Sequence, residues 1–93
     1  MIYKLDYTGS VVNVDIIPSA MKHGLNEDDI LYALKHSIFD ETLETDPSKT
    51  LSIGYDGKAR LIEIIFHVIS DEYIVVFHAM PCRKNYIERI LNK

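Results

Sequence analysis

The chain has 93 residues, 47% of them apolar, with a formal net charge of −4 and a single cysteine. That length holds one domain, residues 1–93, and one modest core. An internal disulfide is excluded, and no run approaches the ~20 apolar residues of a membrane helix, because Glu63, His67, Asp71 and Glu72 break the densest stretch. The acidic balance argues against a general nucleic-acid binder, which is usually basic. The first residues show no signal-peptide pattern, so the cytoplasm is the expected compartment.

In chain order, VVNVDII (11–17) is rich in β-branched residues and predicts a strand. Pro18 ends it, and residues 18–23 predict a short helix with Gly24 as its left-handed cap. Asn26 is a good N-cap, followed by Glu27, Asp28 and Asp29 in a first turn that favours carboxylates. Ile30, Leu31, Leu34 and Ile38 fall near helical spacing, which predicts a helix over 27–36. Residues 39–49 are acidic and turn-prone, with a weak strand near 42–45 and a turn at Asp46-Pro47-Ser48. TLSIGY (50–55) alternates as a strand does, and Asp56-Gly57 is a tight-turn dipeptide. RLIEIIFHVI (60–69) is the longest strand candidate. Ser70-Asp71-Glu72 turns the chain back into a strand over 73–79. The segment 83–92 carries Tyr86, Ile87, Ile90 and Leu91 at helical spacing. These elements predict an α+β domain with helices against an antiparallel meander of three or four strands.

Charge is unevenly distributed. Residues 26–46 carry seven acids against Lys35, a balance of −6, while residues 80–93 carry four cations against Glu88, a balance of +3. Such runs are more often solvated faces than sites.

Along the 61–69 strand, Ile62, Ile64, Phe66 and Val68 form a wholly apolar face, while Glu63 and His67 lie on the other. His78 joins Glu63 if Ser70 pairs with Tyr73, and falls on the apolar face if Ile69 pairs with Tyr73. The two-residue turn is the commoner kind and favours the shared face.

No motif for a metal or a cofactor is present. The four histidines show no His-x-x-x-His spacing, Cys82 stands alone, and there is no phosphate-binding glycine loop or nucleophile elbow. Arg83 and Lys84 beside Cys82 could lower its pKa, yet a lone cysteine near cations is usually incidental. What remains is a polar constellation of Arg60, Glu63, His78, Arg83, Lys84 and Tyr86, with Lys22 and His23 as further candidates. A carboxylate, an imidazole and guanidinium groups suit RNA transesterification, which needs a base, an acid and cations for the phosphorane. The same residues also suit a salt-bridged strand end.

Three stretches in order, KHGL (22–25), IGYDGKARLIEIIFHV (53–68) and VFHAMPCRKNY (76–86), resemble small bacterial BrnT-type toxins of the RelE/ParE superfamily, above all BrnT-like proteins with a His-Ala-Met-Pro-x-Arg ending. The resemblance implies a RelE-like fold, with N-terminal helices packed on an antiparallel three- to four-stranded sheet and a C-terminal helix. It also implies a toxin of a type II toxin–antitoxin system: a metal-independent endoribonuclease that cleaves mRNA, takes no cofactor and is held by a co-encoded antitoxin. Lys22, Arg60, Glu63 and Arg83 match charged active-site positions of the family. His78 enters by inference from its place at the end of the last strand. On this reading Glu63, His78, Arg60 and Arg83 are catalytic, while Lys22, His23, Lys84 and Tyr86 bind substrate, Tyr86 by stacking a base. HAMPCR sets Arg83 further from Ala79 than the family's usual ending does. The alternative is a non-catalytic protein-binding module, with the acidic stretch 40–46 and open strand edges as its contacts. Homo-oligomerisation is left open by the sequence.

Overall fold

The computed structural model describes residues 2–7 and 10–92. Six strands form one mixed sheet in the order β1-β2-β6-β5-β4-β3. They are β1 (Ile2–Tyr7), β2 (Ser10–Ile16), β3 (Ser37–Thr45), β4 (Ser48–Tyr55), β5 (Leu61–Ser70) and β6 (Tyr73–Pro81). A 3-10 turn (Pro18–Met21) and helix α1 (Glu27–Lys35) connect β2 to β3, and helix α2 (Lys84–Leu91) follows β6. Among the described residues no helix is long and apolar enough to cross a membrane.

The class is α+β, but the expected architecture is corrected. The sheet has six strands rather than three or four, it is mixed because β2 runs parallel to β6, and two strands precede the first helix. Two physical causes lie behind the difference. The segment IYKLDY, for which no element was predicted, pairs with β2 from Tyr7↔Ser10 to Ile2↔Asp15 and adds an edge. The acidic stretch expected to be mostly loop forms β3, a nine-residue strand at the other edge. Its charges suit an edge, where they oppose pairing with further strands, and two register shifts against β4 do the same.

Local signals explain α1 well. Asn26 Oδ1 accepts from the Asp29 amide at 2.8 Å, and Asp29 Oδ2 accepts from the Asn26 amide at 3.3 Å, a reciprocal capping box. Gly24 takes φ +85° just before it. The face of α1 bearing Ile30, Ala33 and Leu34 covers Val14, Ile16, Ile62, Ile64, Val76 and Ala79, forming the larger core. At nine residues α1 is ~13 Å long and cannot span six strands ~5 Å apart. A cavity of about 280 Å³ therefore remains beside Leu34, lined by Val12, Phe66, Val68 and Ile74 with Asp40, Thr50 and Ser52. On the opposite face a smaller cluster of Phe39, Leu51, Ile53 and Ile65 receives Tyr86 and Ile90 of α2.

The Asp56-Gly57 dipeptide does not make a two-residue hairpin. Asp56 is buried and closes a loop to Arg60, accepting from the amides of Lys58 (2.9 Å) and Arg60 (2.8 Å) and from Arg60 Nε (2.6 Å). Burial opposes its ionisation, but these donors outweigh that cost and hold its pKa below the ordinary value.

Gly54 sets the distance between α1 and the sheet. A Cβ there would lie 2.2 Å from the Ala33 carbonyl oxygen and 3.1 Å from that of His36. Gly54→Ala must therefore push α1 outward, with an expected loss of about 2 kcal/mol or more. Urea denaturation checks this, and an unchanged midpoint would contradict the close approach.

Candidate functional site

The register of the β5–β6 hairpin builds the site. Ser70 pairs with Tyr73, and near the far end Glu63 pairs with Met80 and Ile65 with His78. Between them Phe66 pairs with Val76, His67 with Val75 and Val68 with Ile74, one residue out of step. The middle of the hairpin thus follows the register that keeps Phe66, Ile74 and Val76 on the α1 face. The extra residue Phe77 forms a bulge in β6 and restores the first register before His78. Each sequence-level alternative holds over part of the hairpin, and the bulge is what returns His78 to the face of Glu63. Bulges re-aim side chains in this way and are frequent beside functional sites.

Glu63 has no exposed surface. Its Oε1 accepts from the Arg83 amide at 2.9 Å and from Arg83 Nε at 3.0 Å; its Oε2 accepts from Arg83 Nη2 at 2.8 Å. His78 Nε2 lies 2.9 Å from the same Oε2. Burial alone would raise the carboxyl pKa. The Arg83 guanidinium and amide, together with His78, outweigh it and hold the group below its ordinary 4.5. An ionised carboxylate only accepts, so His78 Nε2 carries the proton and Nδ1 of the neutral ring is a lone pair.

The strand that neighbours β6 on this side stops early. β2 ends at Ile16 while β6 continues to Pro81, and the 3-10 turn lies along the remainder. The Ile17 amide donates to the Val76 carbonyl at 3.1 Å, and Ser19 Oγ donates to the Phe77 carbonyl at 2.7 Å. The loop that follows carries exposed Lys22 and His23, and the His23 ring meets the His78 ring edge-on at 5.8 Å. Glu63, His78, His23 and Arg83 therefore form one connected group.

Of the remaining candidates, Arg60 and Tyr86 are otherwise engaged, while Lys84 adjoins Arg83. Arg60 Nε binds Asp56, and its Nη2 is 3.5 Å from Asp29 Oδ2, so it ties the β4–β5 loop to α1. Lys84 is exposed at the start of α2. Tyr86 packs on the smaller core, with the guanidinium groups of Arg83 and Arg89 at 5.2 Å and 5.5 Å from its ring centre. Cys82 is not activated. Burial first, and then the charge of Glu63, push its thiol up to about 11 despite Arg83. Among the described residues no three His, Cys, Asp or Glu side chains converge as metal ligands. His23 gains its place through the loop packing on β6, and only its position one residue from Lys22 signalled it in the sequence.

Compared with known proteins, the chain matches no family model, no curated protein and no solved structure.

Replacing Glu63 with Gln removes the charge that holds Arg83 and His78. Because the Arg83 side chain is half-exposed and can turn to water, the expected cost at neutral pH is about 2 kcal/mol, below that of breaking a fully buried pair. The sign with pH follows from the lowered carboxyl pKa. The stabilisation is complete above 4.5 and is lost as pH falls through the lower folded value. Denaturation curves from pH 7 to 3 should show the gap between wild type and Glu63→Gln closing toward acid. A gap constant over that range would contradict an ionised Glu63.

Proposed function

We propose that the protein cleaves RNA by side-chain acid–base chemistry, in the manner of the toxins its sequence resembles, with His78 as the base and Glu63 as the group that positions it. The observation that carries this reading is the bulge at Phe77. It seats His78 Nε2 on a buried, ionised carboxylate beside a second imidazole, at a sheet end that also carries Lys22, Arg83 and Lys84. Glu63 suits the supporting role better than the basic one, since every short contact it makes stabilises its charge.

In the reaction His78 Nδ1 takes the proton of a ribose 2′-hydroxyl. The 2′-oxygen then bonds to phosphorus, and the bond from phosphorus to the 5′-oxygen breaks. Protonated His23 gives its proton to the departing 5′-oxygen, leaving a 2′,3′-cyclic phosphate and a 5′-hydroxyl. Lys22, Lys84 and the outer edge of Arg83 face the phosphorane charge. Part of the chain's acidity lies away from this end. Asp40, Glu41 and Glu44 lie on β3, three strand spacings from β6, ~14 Å away across the sheet. Action on messenger RNA places the protein in the cytoplasm, held in check by a co-encoded antitoxin.

One feature favours a second reading, a non-catalytic binding module. The edge strand β3 presents exposed Asp40 and Glu44 together with Ile38 at 53% exposure, a surface suited to a basic partner segment.

Purified protein incubated with a structured messenger RNA at low salt separates the two. The nuclease reading expects cleavage that falls steeply with salt and drops ~100-fold or more in His78→Ala. Arg60→Ala should cleave nearly as well as wild type, because Arg60 serves the β4–β5 loop. No cleavage by folded wild-type protein would transfer the function to partner binding.

A further inference from the structure

The sheet face that carries His78 is only partly covered by α2, and next to the acid–base group it presents a pair of stacked rings. His67 of β5 and Phe77 of β6 stack with centroids 4.4 Å apart and planes 20° apart, and both are half-buried. The His67 ring and the Phe77 backbone are held by hydrogen bonds, and Phe77 packs on the smaller core. His67 Nδ1 lies 2.8 Å from the Ser48 carbonyl, an acceptor only, so Nδ1 is the donor and Nε2 of the neutral ring is an acceptor. Phe77 is the bulge residue, and its carbonyl is fixed by Ser19 Oγ. Lys49 Nζ stands 5.9 Å from the Phe77 ring centre. Its ion pair with Glu44 at 3.3 Å is solvent-exposed and of the weak kind that a phosphate can displace.

Half-buried rings on a sheet face, flanked by a lysine, are one way single-stranded nucleic acid is held without sequence reading, each base laid on an aromatic ring and the backbone met by cations. We propose that the His67–Phe77 pair is the base-stacking platform for a single-stranded RNA segment, seating the nucleotide next to the ribose whose 2′-hydroxyl His78 deprotonates. The proposal rests on the nuclease reading for its choice of RNA. It gives the stacking role expected of Tyr86 to Phe77, whose neighbour in sequence is His78 and whose ring carries one cation, Lys49, where that of Tyr86 carries two. It also gives the bulge a second use: Phe77, the residue without a partner on β5, carries the ring.

The test uses an uncleavable probe, a 2′-O-methyl octanucleotide of uridine with one central 2-aminopurine, whose fluorescence is quenched on stacking. Wild type at low salt should bind it with quenching. Phe77→Leu, which keeps an apolar side chain, should bind at least ~tenfold more weakly and lose the quenching. Lys49→Glu should weaken binding and flatten its salt dependence while leaving the quenching of the bound fraction in place. Should Phe77→Leu not fold, the wild-type quenching and the Lys49→Glu salt dependence decide the matter. Binding without quenching, equal binding by a folded Phe77→Leu, or no binding by wild type would each overturn the platform. The nuclease reading fails separately: quenched binding by wild type that cleaves no RNA keeps the platform and removes the chemistry, whereas cleavage with no quenching keeps the chemistry and removes the platform.

Discussion

A carboxylate with no exposed surface must have its charge met by donors, and Glu63 organises the end of the sheet around that requirement. Its two oxygens gather the backbone and side chain of Arg83 and the ring of His78. Arg83 is the N-cap residue of α2, so the same interaction fixes where the last helix starts. No residue of α2 is itself fully buried, and Leu91 is largely exposed, so apolar packing alone holds the helix weakly. The Glu63–Arg83 pair at its start and the Arg89–Glu41 pair near its end supply the rest.

The same requirement links fold to chemistry. An imidazole whose Nε2 proton is committed to a carboxylate presents a basic Nδ1 in a fixed direction. That arrangement depends on the Phe77 bulge, since without it the register through Phe66, His67 and Val68 would carry His78 to the α1 face. The bulge depends in turn on what flanks β6 there. β2 has already ended, and Ile17 and then Ser19 of the 3-10 turn donate hydrogen bonds to the Val76 and Phe77 carbonyls, which gives the irregular backbone partners that a regular neighbouring strand would not.

Much of this was legible in the sequence where local chemistry decides. The Asn26 cap, the Gly24 turn, the apolar face of β5 and the helix after Pro81 all follow from side-chain type and spacing, and the structure keeps them. Where partners decide, the sequence misleads. The stretch after His36 reads as acidic loop because an edge strand needs only one apolar flank, and Phe39 and Leu43 supply it sparsely. The parallel pairing of β2 with β6, across more than fifty intervening residues, leaves no local trace. Asp56-Gly57 carries a hairpin signature, yet the carboxylate is drawn inward by Arg60 and lengthens the loop. For the site, Glu63, His78 and Arg83 were visible as chemistry-bearing types. Their mutual contacts hang on a one-residue shift that periodicity cannot resolve.

An ionised Glu63 fixes His78 with its proton on Nε2. Long-range proton–nitrogen NMR of labelled protein near neutral pH reads that tautomer directly, and the Glu63 side-chain carboxyl carbon reports its titration in the same sample. The expected result is the Nε2-protonated form for His78 and a Glu63 transition below that of an exposed glutamate. An Nδ1-protonated His78, or a Glu63 that titrates at or above the ordinary value, would contradict it.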